Sequence, residues 1–329
     1  MALRYRTMHA EDVARCVEIV AHNPLVAPRY GDAIADLEGV WRSLLGRLAF
    51  TAVVFEESMG DSLRLMGVGV SAFVSDEFVR DLKTPPLVWI GPEMLRRIIR
   101  GESPLLSDKS VAEANTIGGL NLVGWDGATS LDDAKRVDVL NFSFHTFVDL
   151  HRGFLVKELL GQADSAQHFQ AMRNVGSSFF DPELRAFAPW VAGSAEDGVT
   201  TPHLIGSTRE MALAGTWLSG SALFAYQPPR FCFTSSQQRL LTAALQGGTD
   251  DELSQRLDVS LSAVRRCWLS IYDRIAERAP SVLGHATELD DDDRAPARGK
   301  GKKHQVLAYL REHPEELRPV SQKLLRAQV

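Results

Sequence analysis

The chain has 329 residues, enough for two domains with ordinary cores. Its composition is 45% apolar and 24% charged, and its net charge of −6 excludes a protein that coats nucleic acid through overall charge. Any DNA contact must come from a local patch. No apolar run reaches the length of a membrane span and MALRYRTMHAED lacks a signal-peptide core, so a cytoplasmic chain with no membrane partner is expected.

Cys16, Cys232 and Cys267 are scattered, odd in number and without metal spacing, and read as reduced packing residues. From the N-terminus, residues 3–8 read as a short strand, followed by a helix with Val13, Cys16, Val17 and Val20 on one face. A second helix is expected over 34–48, using Leu37, Trp41, Leu44, Leu45 and Leu48. Residues 49–55 and 63–74 are β-rich and flank the polar EESMGDS, which reads as a hairpin. After a less regular insertion, 119–125 is another strand, and Ser130 with Asp133 resembles a capping box. The next helix carries Val137, Leu140, Phe144, Phe147 and Val148; then 154–160 reads as a strand, 165–174 as a helix and 177–180 as a final strand.

This order, β-α-α-β-β-β-α-β-α-β, is similar to that of the GNAT-type N-acyltransferase fold. RYRTMHAEDVARCVEI resembles that family's first strand and helix, and QHFQAMRNVGSSFF its later helix and strand. The resemblance implies an α/β domain (α+β, with a mixed central sheet) over 1–190. It also implies a site where acyl-CoA pyrophosphate meets backbone N–H groups at a helix N-terminus, on an Arg-x-x-Gly-x-Gly/Ala loop after the fourth strand. In the preferred register that loop is residues 126–130, DGATS, with one glycine, no arginine and a repelling aspartate. In a second register, 151–157, Arg152 is in place but Leu155 and Lys157 replace both glycines. Either way the cradle is damaged, so no cofactor is required and acyl-CoA remains only a candidate ligand.

Glu113, Asp126 and Asp149 are carboxylates near the expected cleft, but nothing sets them beside a substrate amine, and His145 reads as packed or partly exposed. Trp89, Trp125, Phe142, Phe144 and Phe147 fit either a pocket lining or a core. No catalytic residue is assigned, since the chain has no Ser-His-Asp elbow, zinc spacing or Walker-type loop.

Residues 191–230 include a stretch rich in Gly, Ser, Thr and Pro, and read as a connector. Beyond it, 231–285 has the spacing of a helix-turn-helix. Ser235 and Ser236 can open a first helix with Leu240, Leu241, Ala244 and Leu245 inward. Glycines 247 and 248 end it, and Thr249 caps a short second helix through Leu257. Ser260 is the natural N-cap of a third helix that buries Ala263, Val264, Trp268 and Ile271 and leaves Arg265, Arg266 and Leu269 facing out. From Phe231 to Pro280 six arginines balance six acids, so binding to DNA requires segregated cations. Residues 286–304 follow Asp290 to Asp293 with RAPARGKGKK, a mixed-charge linker whose cations could instead track a phosphate backbone. A helical tail over 305–329 carries Val306, Leu307, Tyr309 and Leu310, and is expected to dock on the body or on a partner subunit.

The segment 233–275 resembles a LuxR-type helix-turn-helix through Phe233-Thr234, Gln246-Gly247, Glu252-Leu253, Leu257, Val259-Ser260, Val264-Arg265 and Ile271-Tyr272. It departs from that pattern at Ser236-Gln237, Ala263 and Cys267. The resemblance implies a DNA-binding transcriptional regulator, with the GNAT-like domain as sensor or dimerisation scaffold. Arg265, Arg266 and Leu269 would face the groove, Thr249 and Ser262 would reach phosphates, and a homodimer with a small-molecule or acyl-CoA effector is expected. The competing expectation is an N-acyltransferase with an atypical pyrophosphate loop, whose helical module contacts protein.

Overall fold

The computed structural model describes residues 1–329 apart from 1, 61, 131–135, 163–171, 173–177, 189–201, 216–219, 284–297 and 327–329, and apart from the side chains of 298–300 and 326. The chain divides into two compact units, Met1–Ala225 and Tyr226–Val329.

The first unit is a mixed α/β fold. Its eight-stranded sheet runs β1-β2-β3-β4-β5-β8-β6-β7, with β1 Leu3–Thr7, β2 Phe50–Met59, β3 Ser62–Val74, β4 Leu120–Thr129, β5 Val156–Gly161, β6 Ser178–Asp181, β7 Ala186–Ala188 and β8 Ile205–Thr208. Neighbours pair antiparallel except β4 and β5, which are parallel. On one face Val54, Val68 and Val70 pack with Val13, Cys16 and Val20 of α1 (Val13–His22) and Leu37 and Trp41 of α2 (Leu37–Leu44). Burial pushes the Cys16 thiol up to about 12, which suits a packing residue. On the other face Val53, Phe55 and Met66 form a smaller cluster. Gly67 and Gly69 make room for it: a Cβ at Gly69 would stand 3.2 Å from the Phe55 ring, and one at Gly67 would stand 2.8 Å from the Ala128 carbonyl.

The insertion after β3 is more regular than its sequence indicates. It forms α3 (Asp76–Leu82), α4 (Ile90–Ile99) and α5 (Asp108–Thr116). Ser75 caps the first by accepting from the Phe78 N–H, and Ser107 caps the third by accepting from the Ser110 N–H. Strand β4 continues to Thr129, and the next helix, α6 (Val137–His151), has Arg136 as an N-cap that makes no side-chain cap. Asp133 and nearly all of the helix expected over 165–174 lie outside the described residues.

The strand expected to be final is β6, but two more follow it. Strand β8 lies within the stretch read as a connector and sits between β5 and β6. Its glycine is there for close approach: a Cβ at Gly206 would run into the Leu159 carbonyl.

The second unit is helical, with α7 Ser235–Leu245, α8 Asp250–Leu257, α9 Leu261–Arg278, α10 Arg298–Glu312 and α11 Gln322–Arg326. Its core joins Phe231, Leu240, Leu241, Leu253, Val264, Trp268 and Ile271 to Val306 and Leu310 of α10. Ala263 is only half-buried. The first helix is opened by Thr234 and not by the two serines. The Gln237 N–H donates to Thr234 Oγ1 at 3.3 Å and the Thr234 N–H donates to Gln237 Oε1 at 2.9 Å. Asp258 adopts the left-handed conformation (φ 52°, ψ 51°) that turns α8 into α9, and Ser260 caps α9.

Helix α10 begins inside the segment read as a linker, and the apolar tail docks on the three helices before it. Glu316 fastens that tail: its buried carboxylate accepts the backbone N–H groups of Arg230 and Phe231, both at 2.8 Å. Burial raises its pKa, and the two N–H donors oppose that rise. Glu316→Ala leaves both donors without a partner. We expect a loss of about 1–3 kcal/mol for each orphaned group, read as a lower denaturant midpoint of the second unit. A midpoint equal to wild type would contradict this role.

Candidate nucleic-acid contact face

Helix α9 has two faces set by 3.6-residue spacing. Val264, Trp268, Ile271 and Ile275 are buried, whereas Ser262, Arg265, Arg266 and Leu269 are exposed, Leu269 at 61%. The six arginines of this region, indistinguishable by charge count, have different tasks. Arg256 donates to the carbonyls of Ala243 (2.9 Å) and Gly247 (3.3 Å). Arg274 donates to those of Phe231 (3.2 Å) and Cys232 (2.9 Å), and Arg278 to those of Arg230 (2.8 Å) and Phe231 (3.3 Å). These three tie α8 to the end of α7 and α9 to residues 230–232. Among the described residues, Arg239, Arg265 and Arg266 make no hydrogen bond or ion pair, which leaves two adjacent unpartnered cations on the outward face of α9.

Ser262 lies at the start of that face, its Oγ 3.0 Å from that of Ser260. Thr249 is differently placed. Its Oγ1 accepts the Glu252 N–H at 3.3 Å and donates to Glu252 Oε2 at 3.2 Å, while its own N–H donates to Glu252 Oε2 at 2.7 Å. The hydroxyl is committed to the cap, and Asp250, Asp251 and Glu252 crowd the same turn with negative charge. Lys303 reaches this turn from 53 residues away. Its Nζ lies 3.0 Å from Asp250 Oδ1 and 5.2 Å from the Trp268 ring centroid, so the basic run 298–303 starts a helix beside α8. The KGKK run is visible in the sequence as cations that could track a phosphate backbone, but its docking beside α8 is not.

Acyl-CoA would meet the first unit in one of the two expected registers. In the preferred register, Asp126 to Thr129 belong to β4 and pair with β3, so they form no loop. In the second, His151 ends α6 and Val156 opens β5; the segment leads into a strand and offers no helix N-terminus. The helix that does follow β4 carries Asp138 in its first turn, bonded to Arg136 at 2.7 Å. None of these segments forms the expected phosphate cradle.

Strands β4 and β5 pair from Leu120 and Val156 only as far as Val123 and Leu160. Beyond that point the chain covers β4 itself. A Cβ on Gly91 would lie 3.0 Å from the Trp125 carbonyl, and Gln162 bonds the Ile90 N–H (2.6 Å) and the Val88 carbonyl (2.8 Å). The Tyr30 hydroxyl donates to Asp126 there, and burial, then Asp126, pushes that phenol well above its ordinary pKa.

The other carboxylates do not join Asp126: Asp149 pairs with Arg152 at 3.6 Å and Glu113 with Lys109 at 3.7 Å. His145 is exposed. Trp125 is core, edge-on to Trp41 and Phe50; Phe144 and Phe147 pack on that core and Phe142 on the opposite cluster. His151, not singled out by its sequence context, is buried with Nε2 3.0 Å from Ser71 Oγ and Nδ1 2.7 Å from the Phe147 carbonyl. An open cleft of about 340 Å³ lies beside α1, lined by Arg15, Glu18, His22, Asn23, Thr129 and Ser130 among others. No group of three or more His, Cys, Asp or Glu is placed to hold a metal among the described residues, and no helix there is long and apolar enough to cross a membrane.

No family model and no curated protein matches the chain. Among solved structures it is similar to a histone acetyltransferase HPA2 and related acetyltransferase from Corynebacterium glutamicum, at 14% identity and a TM-score of 0.36, over 63% of this chain and 95% of that one. It is also similar to an uncharacterized protein (bh2621) from Bacillus halodurans, at 9% identity and a TM-score of 0.34, over 68% and 92%. Likeness at these values decides nothing about activity. The mixed sheet, in which β4–β5 is the parallel pair among the described strands, is itself consistent with a GNAT-like fold.

Proposed function

We propose that the chain is a DNA-binding regulator whose second unit enters a major groove with α9 in the manner of a LuxR-type helix-turn-helix. One observation carries this reading: Arg265 and Arg266 are exposed on the outward face of α9 with no partner among the described residues, while Arg256, Arg274 and Arg278 are engaged by carbonyls. Free guanidinium groups on an outward helix face suit guanine edges or phosphates, and exposed Leu269 suits a thymine methyl. One helix of this length reads few base pairs, so the active species is a dimer on paired half-sites. The first unit serves as sensor or dimerisation scaffold. Selection of duplexes from a randomised pool tests base reading. Enrichment of a common motif is expected, and a pool that stays random would contradict it.

A second reading, an N-acyltransferase, is favoured by the parting of the parallel strands β4 and β5 after Val123 and Leu160. The lack of an Arg-x-x-Gly-x-Gly/Ala pattern in either register, 126–130 or 151–157, argues against it. Acetyl-CoA or a longer acyl-CoA is therefore expected to leave the thermal midpoint unchanged at micromolar concentration. A saturating shift would restore the enzyme, or an acyl-CoA signal, to first place.

A further inference from the structure

We propose that the basic start of α10 is a second DNA contact, on the phosphate backbone beside α9; this rests on the DNA-binding reading. That reading places a phosphate strand past the N-terminus of α8, where Thr249 would meet it. The geometry removes Thr249 from that task, because its hydroxyl and N–H are both engaged with Glu252. Asp250, Asp251 and Glu252 would also repel phosphate at that turn.

Helix α10 supplies what α8 lacks. Lys303 crosses to Asp250 at 3.0 Å and offsets one of the three acids, while its position over Trp268 ties α10 to the helix that carries Arg265 and Arg266. Lys302, next to it, is exposed and has no hydrogen bond or ion pair among the described residues. Arg298 and Lys300 precede it in the same helix. An exposed ammonium on a docked helix complements a polyanion, and its contribution does not depend on base sequence.

The test is fluorescence anisotropy of the full chain on labelled duplex DNA of mixed sequence across a salt series, for wild type, Lys302→Ala, Lys302→Glu and Asp250→Asn. Lys302→Ala should keep the wild-type thermal midpoint and flatten the slope of log affinity against log salt by about one, equally on every sequence. Lys302→Glu should weaken binding further. Asp250→Asn should tighten it, because an acid is lost and Lys303 is released. If Asp250→Asn unfolds the unit, the two Lys302 variants still decide. Wild-type slopes and affinities in both, on a protein whose binding depends on Arg265 and Arg266, would overturn the inference and leave the DNA reading standing. A wild type that binds no DNA at any salt would remove both.

Discussion

The double variant Arg265→Ala/Arg266→Ala is expected to lose DNA affinity by about 1–3 kcal/mol for each arginine that reads a base, with no loss of fold. The fold survives because neither side chain makes a hydrogen bond or ion pair among the described residues and both are exposed. The pattern of loss separates two roles. An arginine on a guanine edge gives a loss concentrated on the preferred site. One on a phosphate gives an equal loss on all sequences and a shallower salt dependence. Wild-type affinity in the double variant would remove α9 as the reading element.

Trp268→Ala is expected to be the most damaging single change in the second unit, at about 3–5 kcal/mol. The side chain is 4% exposed, stacks on Tyr272 with ring centroids 5.7 Å apart, and lies under Lys303 of α10. It therefore joins α9 to the docked helix. Its Nε1 has no partner among the described residues, so truncation forfeits packing and not a hydrogen bond. Trp268→Phe keeps most of the contact and should cost far less. Far-UV circular dichroism in denaturant is the suitable readout, since tryptophan fluorescence changes with the substitution itself. An alanine variant with a wild-type midpoint would contradict the packing described. The variant should also lose DNA binding, through unfolding, where the arginine variant loses it while folded.

What could be read from residue order depended on how local the cause was. The caps of α8 and α9 follow from Thr249 and Ser260, and the buried stripe Val264, Trp268, Ile271 from periodicity, because each is decided within one turn or two. The cap of α7 was displaced by one residue. There Thr234 and Gln237 close a box that Ser235 and Ser236 conceal.

Causes distant in sequence were not legible. Ile205 to Thr208 carry the composition of a connector, and only the Leu159 backbone explains why Gly206 must be glycine in a strand. The insertion after β3 holds two clear serine caps, but Pro85, Pro86 and Gly101 break its periodicity between the helices. At the candidate face, Arg265, Arg266 and Leu269 were readable as outward residues. The engagement of Arg256, Arg274 and Arg278 with carbonyls was not, since those acceptors lie 9 to 48 residues away. Nor could the sequence show Lys303 against Asp250, a pair 53 residues apart.

The most direct test of the central claim is an anisotropy titration of wild-type protein on labelled duplex DNA at low and at moderate salt. Binding at low salt that weakens linearly in log affinity against log salt is the expected result, because a local cationic face on an acidic protein acts through counterion release. No binding at low salt would contradict the claim and make the second unit a protein-contact module.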